Sequence, residues 1–164
     1  MAKSSRLSKR KEREVFGAPE RGPVLSLRFV LALVLILGGI AWILYYYFGV
    51  RPDDGWPMSK QNPAGGPAFL QDLEGKNYLI GFIAFFLGLM ISAHPTTPFG
   101  RGRGVVIGML ACFLVGLLWI CVFYIFLTGN DPKDIPILVD LGQKNLFVGI
   151  AFMAVGFAFA TRWE

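Results

Sequence analysis

The chain has 164 residues, of which 54% are hydrophobic and only 16% charged, and its formal net charge is +5. Soluble domains average about 45–50% apolar and about 25% charged residues, so this composition excludes an ordinary soluble domain and a disordered chain. Cys112 and Cys121 lie in one apolar run, on opposite faces of a helix, which excludes a disulfide scaffold.

The first predicted element is a basic tail. Residues 1–24 combine many lysines and arginines, clustered at positions 3–13, with few apolar residues. This pattern predicts disorder. Each basic group near an anionic leaflet contributes about 1 kcal/mol, so the tail can lie against a membrane or be offered to an acidic partner.

Four runs without acidic or basic residues follow, at positions 29–50, 77–93, 104–130 and 145–161. A membrane helix needs about 20 such residues, with a range of about 17–25. The first and third runs are long enough, and the second and fourth stand at the lower limit. We therefore predict an all-α membrane protein with four transmembrane helices.

The charges in the connecting segments predict the orientation. The first 28 residues hold eight lysines or arginines, and Arg101, Arg103 and Arg162 are also basic. The loops at 51–76 and 131–144 hold more acids than bases. Because basic segments stay in the cytoplasm, we expect a multi-pass plasma-membrane protein with both termini inside. The first run is an uncleaved anchor, because the aromatic residues 45–48 stand where a signal peptide has small ones.

The chain contains an internal repeat. A shift of 68 residues places seven identities within nineteen positions, from Leu70 to Gly88, and a shift of 77 aligns Gly39 and Trp42 with Gly116 and Trp119. The repeat predicts two parallel helical hairpins, residues 25–94 and 105–164, joined by a cytoplasmic linker at 95–104. Both hairpins enter the membrane from the same side.

Glycines recur in both predicted hairpins. In the second helix of each unit, Gly81 and Gly88 correspond to Gly149 and Gly156, on one helix face. Small residues allow helices to approach closely in lipid. The stripe predicts either packing inside the protein or a docking face for the helix of a partner.

Polar residues recur at the entry of each second helix, as Lys76-Asn77 and Lys144-Asn145. Asparagine can cap the first free backbone amides, while lysine can reach lipid headgroups or the partner loop. Trp42 and Trp119 lie deeper than an aromatic belt, so their indole N–H groups should find hydrogen-bond partners within the bundle.

Catalytic motifs are not found in the sequence. It contains no C-x-x-C, H-E-x-x-H, G-x-S-x-G or phosphate loop, so we expect no enzyme, cofactor, metal ligand or nucleic-acid partner. The four runs also lack a central ionisable residue, which disfavours ion-coupled transport. A small transporter or channel, and an accessory subunit of an unrelated membrane complex, remain alternatives.

The C-terminal segment from Lys144 to Trp163, K-N-L-F-V-G-I-A-F-M-A-V-G-F-A-F-A-T-R-W, resembles the last helix of the actinobacterial cell-division family CrgA. The matching positions are Asn145, Ala151, Phe152, Met153, Gly156, Arg162 and Trp163. The first unit keeps the Asn77, Gly81 and Gly88 positions, but Ser-Ala-His-Pro at 92–95 replaces the Arg-Trp end. The family's usual unit is one hairpin, so this chain resembles a tandem member.

The resemblance implies a non-enzymatic membrane adaptor at the division septum. Its implied partners are the FtsZ ring and septal peptidoglycan synthases, together with membrane lipids and a possible second copy of the chain. The candidate helix-packing or partner contacts are the repeated residues and the two C-terminal ones: Gly39, Trp42, Lys76, Asn77, Gly81, Gly88, Gly116, Trp119, Lys144, Asn145, Gly149, Gly156, Arg162 and Trp163.

Overall fold

The computed structural model describes residues 26–128 and 135–161, and every regular element in these ranges is helical. The expected tail at 1–24, Arg162 and Trp163 lie outside the described residues. The elements are α1 (Leu27–Gly49), α2 (Ala68–Leu73), α3 (Lys76–Ser92), α4 (Arg103–Leu127), α5 (Leu138–Leu141) and α6 (Asn145–Ala160), and a 3₁₀ turn (Gly142–Lys144) joins the last two.

The four long helices occupy the four uncharged runs, with ends within three residues of the predicted ones. The all-helical prediction is confirmed. Three stretches are long and apolar enough to cross a membrane: α1 with 23 residues, α4 with 25, and the continuous stretch Leu138–Ala160 with 23. The fourth apolar helix, α3, has only 17 residues and falls below that length.

In each hairpin, glycines lie where the two helices are in contact with each other. A Cβ atom on Gly39 would lie 2.6 Å from the carbonyl oxygen of Gly81 and 2.7 Å from the amide nitrogen of Phe85. In the second hairpin, a Cβ atom on Gly116 would lie 2.7 Å from the carbonyl oxygen of Gly149. The backbones of α1 and α3, and of α4 and α6, therefore approach as closely as glycine permits, which strengthens van der Waals packing in lipid.

The two hairpins meet through α3 and α6. The Phe152 ring lies 5.7 Å from the Phe85 ring and 4.9 Å from the Phe86 ring, in edge-to-face arrangements. Phe82 contacts Trp119 in the same manner at 6.0 Å. Such aromatic pairs contribute about 0.5–1.5 kcal/mol each beyond their buried area.

The bundle has two ends, which differ in composition. The loop end contains the connection at 50–67 and residues 135–137, whereas the terminal end contains Ser26, the linker and Thr161. At the terminal end, the Ser26 hydroxyl accepts a hydrogen bond from the Phe29 amide at 3.2 Å and so caps α1. The linker is itself folded, because the buried Thr97 hydroxyl accepts from the Gly100 amide at 3.1 Å.

Candidate functional site at the loop end

Two buried asparagines fix the entry of the second helix in each hairpin. The Asn145 side-chain amide donates hydrogen bonds to the carbonyl oxygens of Leu138 and Gly142, at 2.6 and 2.8 Å. Asn77 makes the same two bonds, at 2.7 and 2.9 Å, to the carbonyls seven and three residues before it. The expectation that these asparagines cap backbone amides is therefore wrong. The asparagine side chains instead donate to carbonyl oxygens in and just after the short helices α2 and α5, where the last carbonyl groups have no partner within the helix.

One residue with a positive φ lies between each short helix and the long helix that follows. Glu74 adopts φ 45° and ψ −135°, and Gly142 adopts φ 50° and ψ −128° at the equivalent position. Glycine enters this region at little cost, whereas a residue with a side chain is strained there by about 1–3 kcal/mol. At this position the first hairpin is therefore strained and the second is not, although the second hairpin has its own residue with a side chain at positive φ, Ile137 at 68°.

The two deep tryptophans differ in their hydrogen bonding. The Trp119 indole N–H donates to the Asn145 side-chain oxygen at 3.1 Å. The equivalent groups in the first hairpin, the Trp42 indole nitrogen and the Asn77 side-chain oxygen, are both buried without a hydrogen-bond partner. The sequence-based expectation of a bonded indole is therefore confirmed for Trp119 and wrong for Trp42.

Three side chains connect the two hairpins across the loop end. Arg51 donates from Nη2 to one Asp140 carboxylate oxygen at 2.8 Å, and its Nε lies 2.5 Å from the other. The Tyr78 hydroxyl donates to that second oxygen at 2.6 Å. The hydrogen bond that Arg51 donates to Asp140 raises the pKa of Arg51 above its ordinary value. We call Arg51, Tyr78 and Asp140 the Asp140 cluster.

The Asp140 cluster does not follow the internal repeat. The residue equivalent to Asp140 in the first hairpin is Asp72, which is exposed. The positions equivalent to Tyr78 and Arg51, by shifts of 68 and 77, are Leu146 and Thr128, neither of which can reproduce the contacts of the cluster. The first hairpin therefore supplies the two donors and the second hairpin supplies the acceptor carboxylate, and the equivalent residues do not form the reciprocal contact.

A cavity of about 480 Å³ opens beside the cluster. Its wall contains an aromatic pair, in which the Trp56 indole donates to the Tyr46 hydroxyl at 2.7 Å. Both signs of charge line it, from Asp54, Asp72, Glu74, Lys76 and Lys144. In the described part of the chain, no group of three or more His, Cys, Asp or Glu side chains is placed to hold a metal ion. The cavity offers charged and aromatic binding surface.

The candidate residues from the sequence fall into two groups in the structure. The glycines lie inside the hairpins: Gly88 faces the backbone of Ala32, and Gly156 faces the Phe113 ring. Lys76 and Lys144 are exposed at the starts of α3 and α6. Sequence reasoning missed Arg51, Tyr78 and Asp140 as a cluster. Two of these residues break the repeat, and such breaks are the signal that could have identified them.

These features define an all-helical membrane protein in which two glycine-closed hairpins are joined at the loop end. Residues 99–164 match the family model described as cell division protein CrgA. The match covers the end of the linker and the second hairpin, and it confirms the resemblance to the CrgA family that the last helix predicted.

Individual relatives agree with the family match. The cell division protein CrgA of Streptomyces avermitilis is 45% identical over 56 residues, which cover 34% of this chain and 60% of the relative. The proteins of the same name from Mycobacterium sp. strains KMS and JLS are each 29% identical over 89 residues, 52% of this chain and 68% of those relatives. The chain thus spans about three fifths of the Streptomyces relative. No solved structure matches.

Proposed function

We propose that this protein is a non-enzymatic membrane adaptor of the cell-division machinery. The observation that carries the proposal is the CrgA family match over residues 99–164. The structure is compatible with it, because α3 and α6 pack through phenylalanine rings and the buried polar side chains at the loop end mostly bond to one another. Contacts to the FtsZ ring and to septal peptidoglycan synthases belong to the same proposal.

Localisation in living cells tests the division role. A fluorescent fusion of the full chain should accumulate at midcell in dividing cells and leave the septum after separation. A uniform membrane label would contradict the division role and favour a subunit of an unrelated membrane complex. A two-hybrid assay in the membrane, with FtsZ and a septal synthase as baits, then tests the partners directly.

The proposed arrangement in the membrane has four spans in two parallel hairpins, residues 25–94 and 105–164, with both termini and the linker in the cytoplasm. It is supported by the excess of basic residues in the terminal sequence segments and the linker, and by the pairing of α1 with α3 and α4 with α6. Under this arrangement α3, with 17 residues, crosses a bilayer that is locally thinned, or uses its flanking residues to span it.

Thiol labelling tests this topology. In a chain whose two native cysteines are replaced by alanine, a cysteine at the exposed Ser59 should react with a membrane-impermeant reagent in intact cells. A cysteine at the exposed Thr96 should react only after permeabilisation. Labelling of both positions from outside would refute the parallel hairpins.

The proposed tandem origin predicts that the halves recognise each other. Residues 1–100 and 101–164, expressed as separate chains, should associate in the membrane, because the aromatic contacts and the Asp140 cluster both cross the hairpin boundary. Halves that remain separate in a cross-linking experiment would count against a fused dimer.

A further inference from the structure

An apolar groove runs between α3 and α6 on the surface of the bundle, below the loop end. Its volume is about 380 Å³, within the range of about 300–1,000 Å³ typical of small-ligand sites. Leu79, Phe82 and Ile83 line one side, and Phe147 and Ala151 line the other. No acidic residue lines this groove within the described residues.

The groove carries charge only at its upper end. Lys76 and Lys144 line its mouth, and both side chains are exposed at the starts of their helices. Neither lysine forms a salt bridge with a residue that the structure describes. The acidic side chains Asp72 and Glu74 line the neighbouring cavity together with the lysines, but they do not line the groove. Two free ammonium groups therefore stand at the same level above an apolar channel.

We propose that this groove binds one anionic phospholipid, with its phosphate between Lys76 and Lys144 and an acyl chain along α3 and α6. The charge pattern carries the assignment, because an amphiphile with one negative headgroup and a long apolar tail complements two cations above an apolar wall. The positive ends of the two helix dipoles point toward the same headgroup position.

A partner helix fits the groove less well than a lipid chain. Helices pack closely in membranes where small residues allow their backbones to approach. Here the small residues are used inside the hairpins, while the groove presents large side chains: Leu79 is 60% exposed, Ile83 49% and Phe147 72%. Flexible acyl chains can follow such an uneven surface. The lipid site requires that the chain is inserted in a membrane, but it does not require the proposed division role. The fluorescent fusion tests the division role separately.

Native mass spectrometry of the full chain tests the proposal. The protein is released from micelles containing equal amounts of phosphatidylglycerol and phosphatidylcholine with identical acyl chains. We expect the wild-type chain to retain one phosphatidylglycerol in preference to phosphatidylcholine. K76Q and K144Q should each lower that retention about fivefold, as expected from the loss of one cation near a phosphate.

Matched variants distinguish a specific lipid site in the groove from general electrostatic attraction of the lipid to the protein. K60Q removes an exposed loop lysine that does not line the groove, and it should leave lipid retention unchanged. A151F fills the groove and should abolish retention with both lysines present, whereas A154F places the same ring on an exposed position of α6 outside the groove. Loss of phosphatidylglycerol with A151F but not with A154F supports an acyl-chain site.

Several outcomes would overturn the proposal. Equal retention of the two lipids, or equal effects of K60Q and K76Q, would show general electrostatics only. Displacement of the lipid by inorganic phosphate would show a phosphate site without an acyl groove. A lipid-free dimer that is lost in A151F would show a second copy in the groove. The variant K76R/K144R should keep the preference, so its loss in a folded chain, checked by circular dichroism, would also refute the role of the cations.

Discussion

The two deep tryptophans provide an internal comparison of one hydrogen bond, and we predict that their phenylalanine variants behave differently. Trp119 donates to the buried Asn145 oxygen, whereas the Trp42 N–H is buried without a partner. Both rings are half-buried and pack against the same core at the loop end. Replacing either by phenylalanine therefore removes a similar apolar area, and this contribution cancels in the comparison.

The polar contributions do not cancel. W119F removes a donor and leaves the Asn145 oxygen buried without a partner, which costs about 1–3 kcal/mol in proteins in general. Interhelical hydrogen bonds in membranes are weaker, at about 0.6 kcal/mol on average and about 1.7 at most. W42F removes an indole N–H that already lacks a partner, so it should regain part of the cost of burying that donor. We expect W119F to destabilise the protein by about 1–2 kcal/mol more than W42F.

The free energy of unfolding of each variant can be measured by titrating dodecyl sulfate into mixed micelles. Double-mutant cycles complete the test: W119F with N145L should show a coupling energy above about 0.5 kcal/mol, while W42F with N77L should show none. The indole ¹H–¹⁵N signal of Trp119 should also exchange with solvent more slowly than that of Trp42. Equal losses in the two single variants, or coupling in the first hairpin alone, would refute the reasoning.

Three further predictions concern the stability of the fold, measured in the same titration. D140N should destabilise the protein by about 1.5–3 kcal/mol, because a half-buried arginine loses a charged hydrogen-bond partner. D72N, at the exposed equivalent position, should change stability little. Equal effects of the two substitutions would contradict the assignment of the contact to Asp140 alone. E74G should stabilise the protein by about 1 kcal/mol, because it relieves a turn at φ 45°, and a loss of stability would contradict the strain. G39A should cost about 1–3 kcal/mol, since its methyl group meets backbone atoms at 2.6 and 2.7 Å. The neighbouring G38A meets no atom within 4 Å and should be neutral or stabilising, so similar losses in the two variants would refute the close approach.

The positions of the long helices could be predicted from the sequence because they depend on one strong property, the absence of charge over a run of sufficient length. The helix ends follow directly from the first charged or polar residues on either side. The pairing of helices within each hairpin could also be predicted, because Gly39 and Gly81 mark surfaces where two backbones can touch. These features are local or periodic, and such features can be recognised directly in the sequence.

The loop end was harder to predict, since its contacts depend on geometry between distant residues. Arg51 and Asp140 are 89 positions apart, and although Asp140 is part of the internal repeat, Arg51 and Tyr78 are not. Asn77 was assigned the wrong hydrogen-bond role because the short helix before it was not foreseen, and that helix supplies the carbonyl groups it bonds. The repeat equates Trp42 with Trp119 and Asn77 with Asn145, so the sequence alone could not show that only the second pair is bonded.

The non-reciprocal contact at Asp140 has a consequence for how the two halves can change over time. Replacing Asp140 removes the acceptor of Arg51 and Tyr78 and lowers the stability of the fold. Asp72 at the equivalent position is exposed to solvent and does not form these contacts. Substitutions will therefore be tolerated unequally on the two sides of the molecule. The halves are consequently not interchangeable: a chain built from two copies of the C-terminal half would lack the arginine and the tyrosine that Asp140 binds.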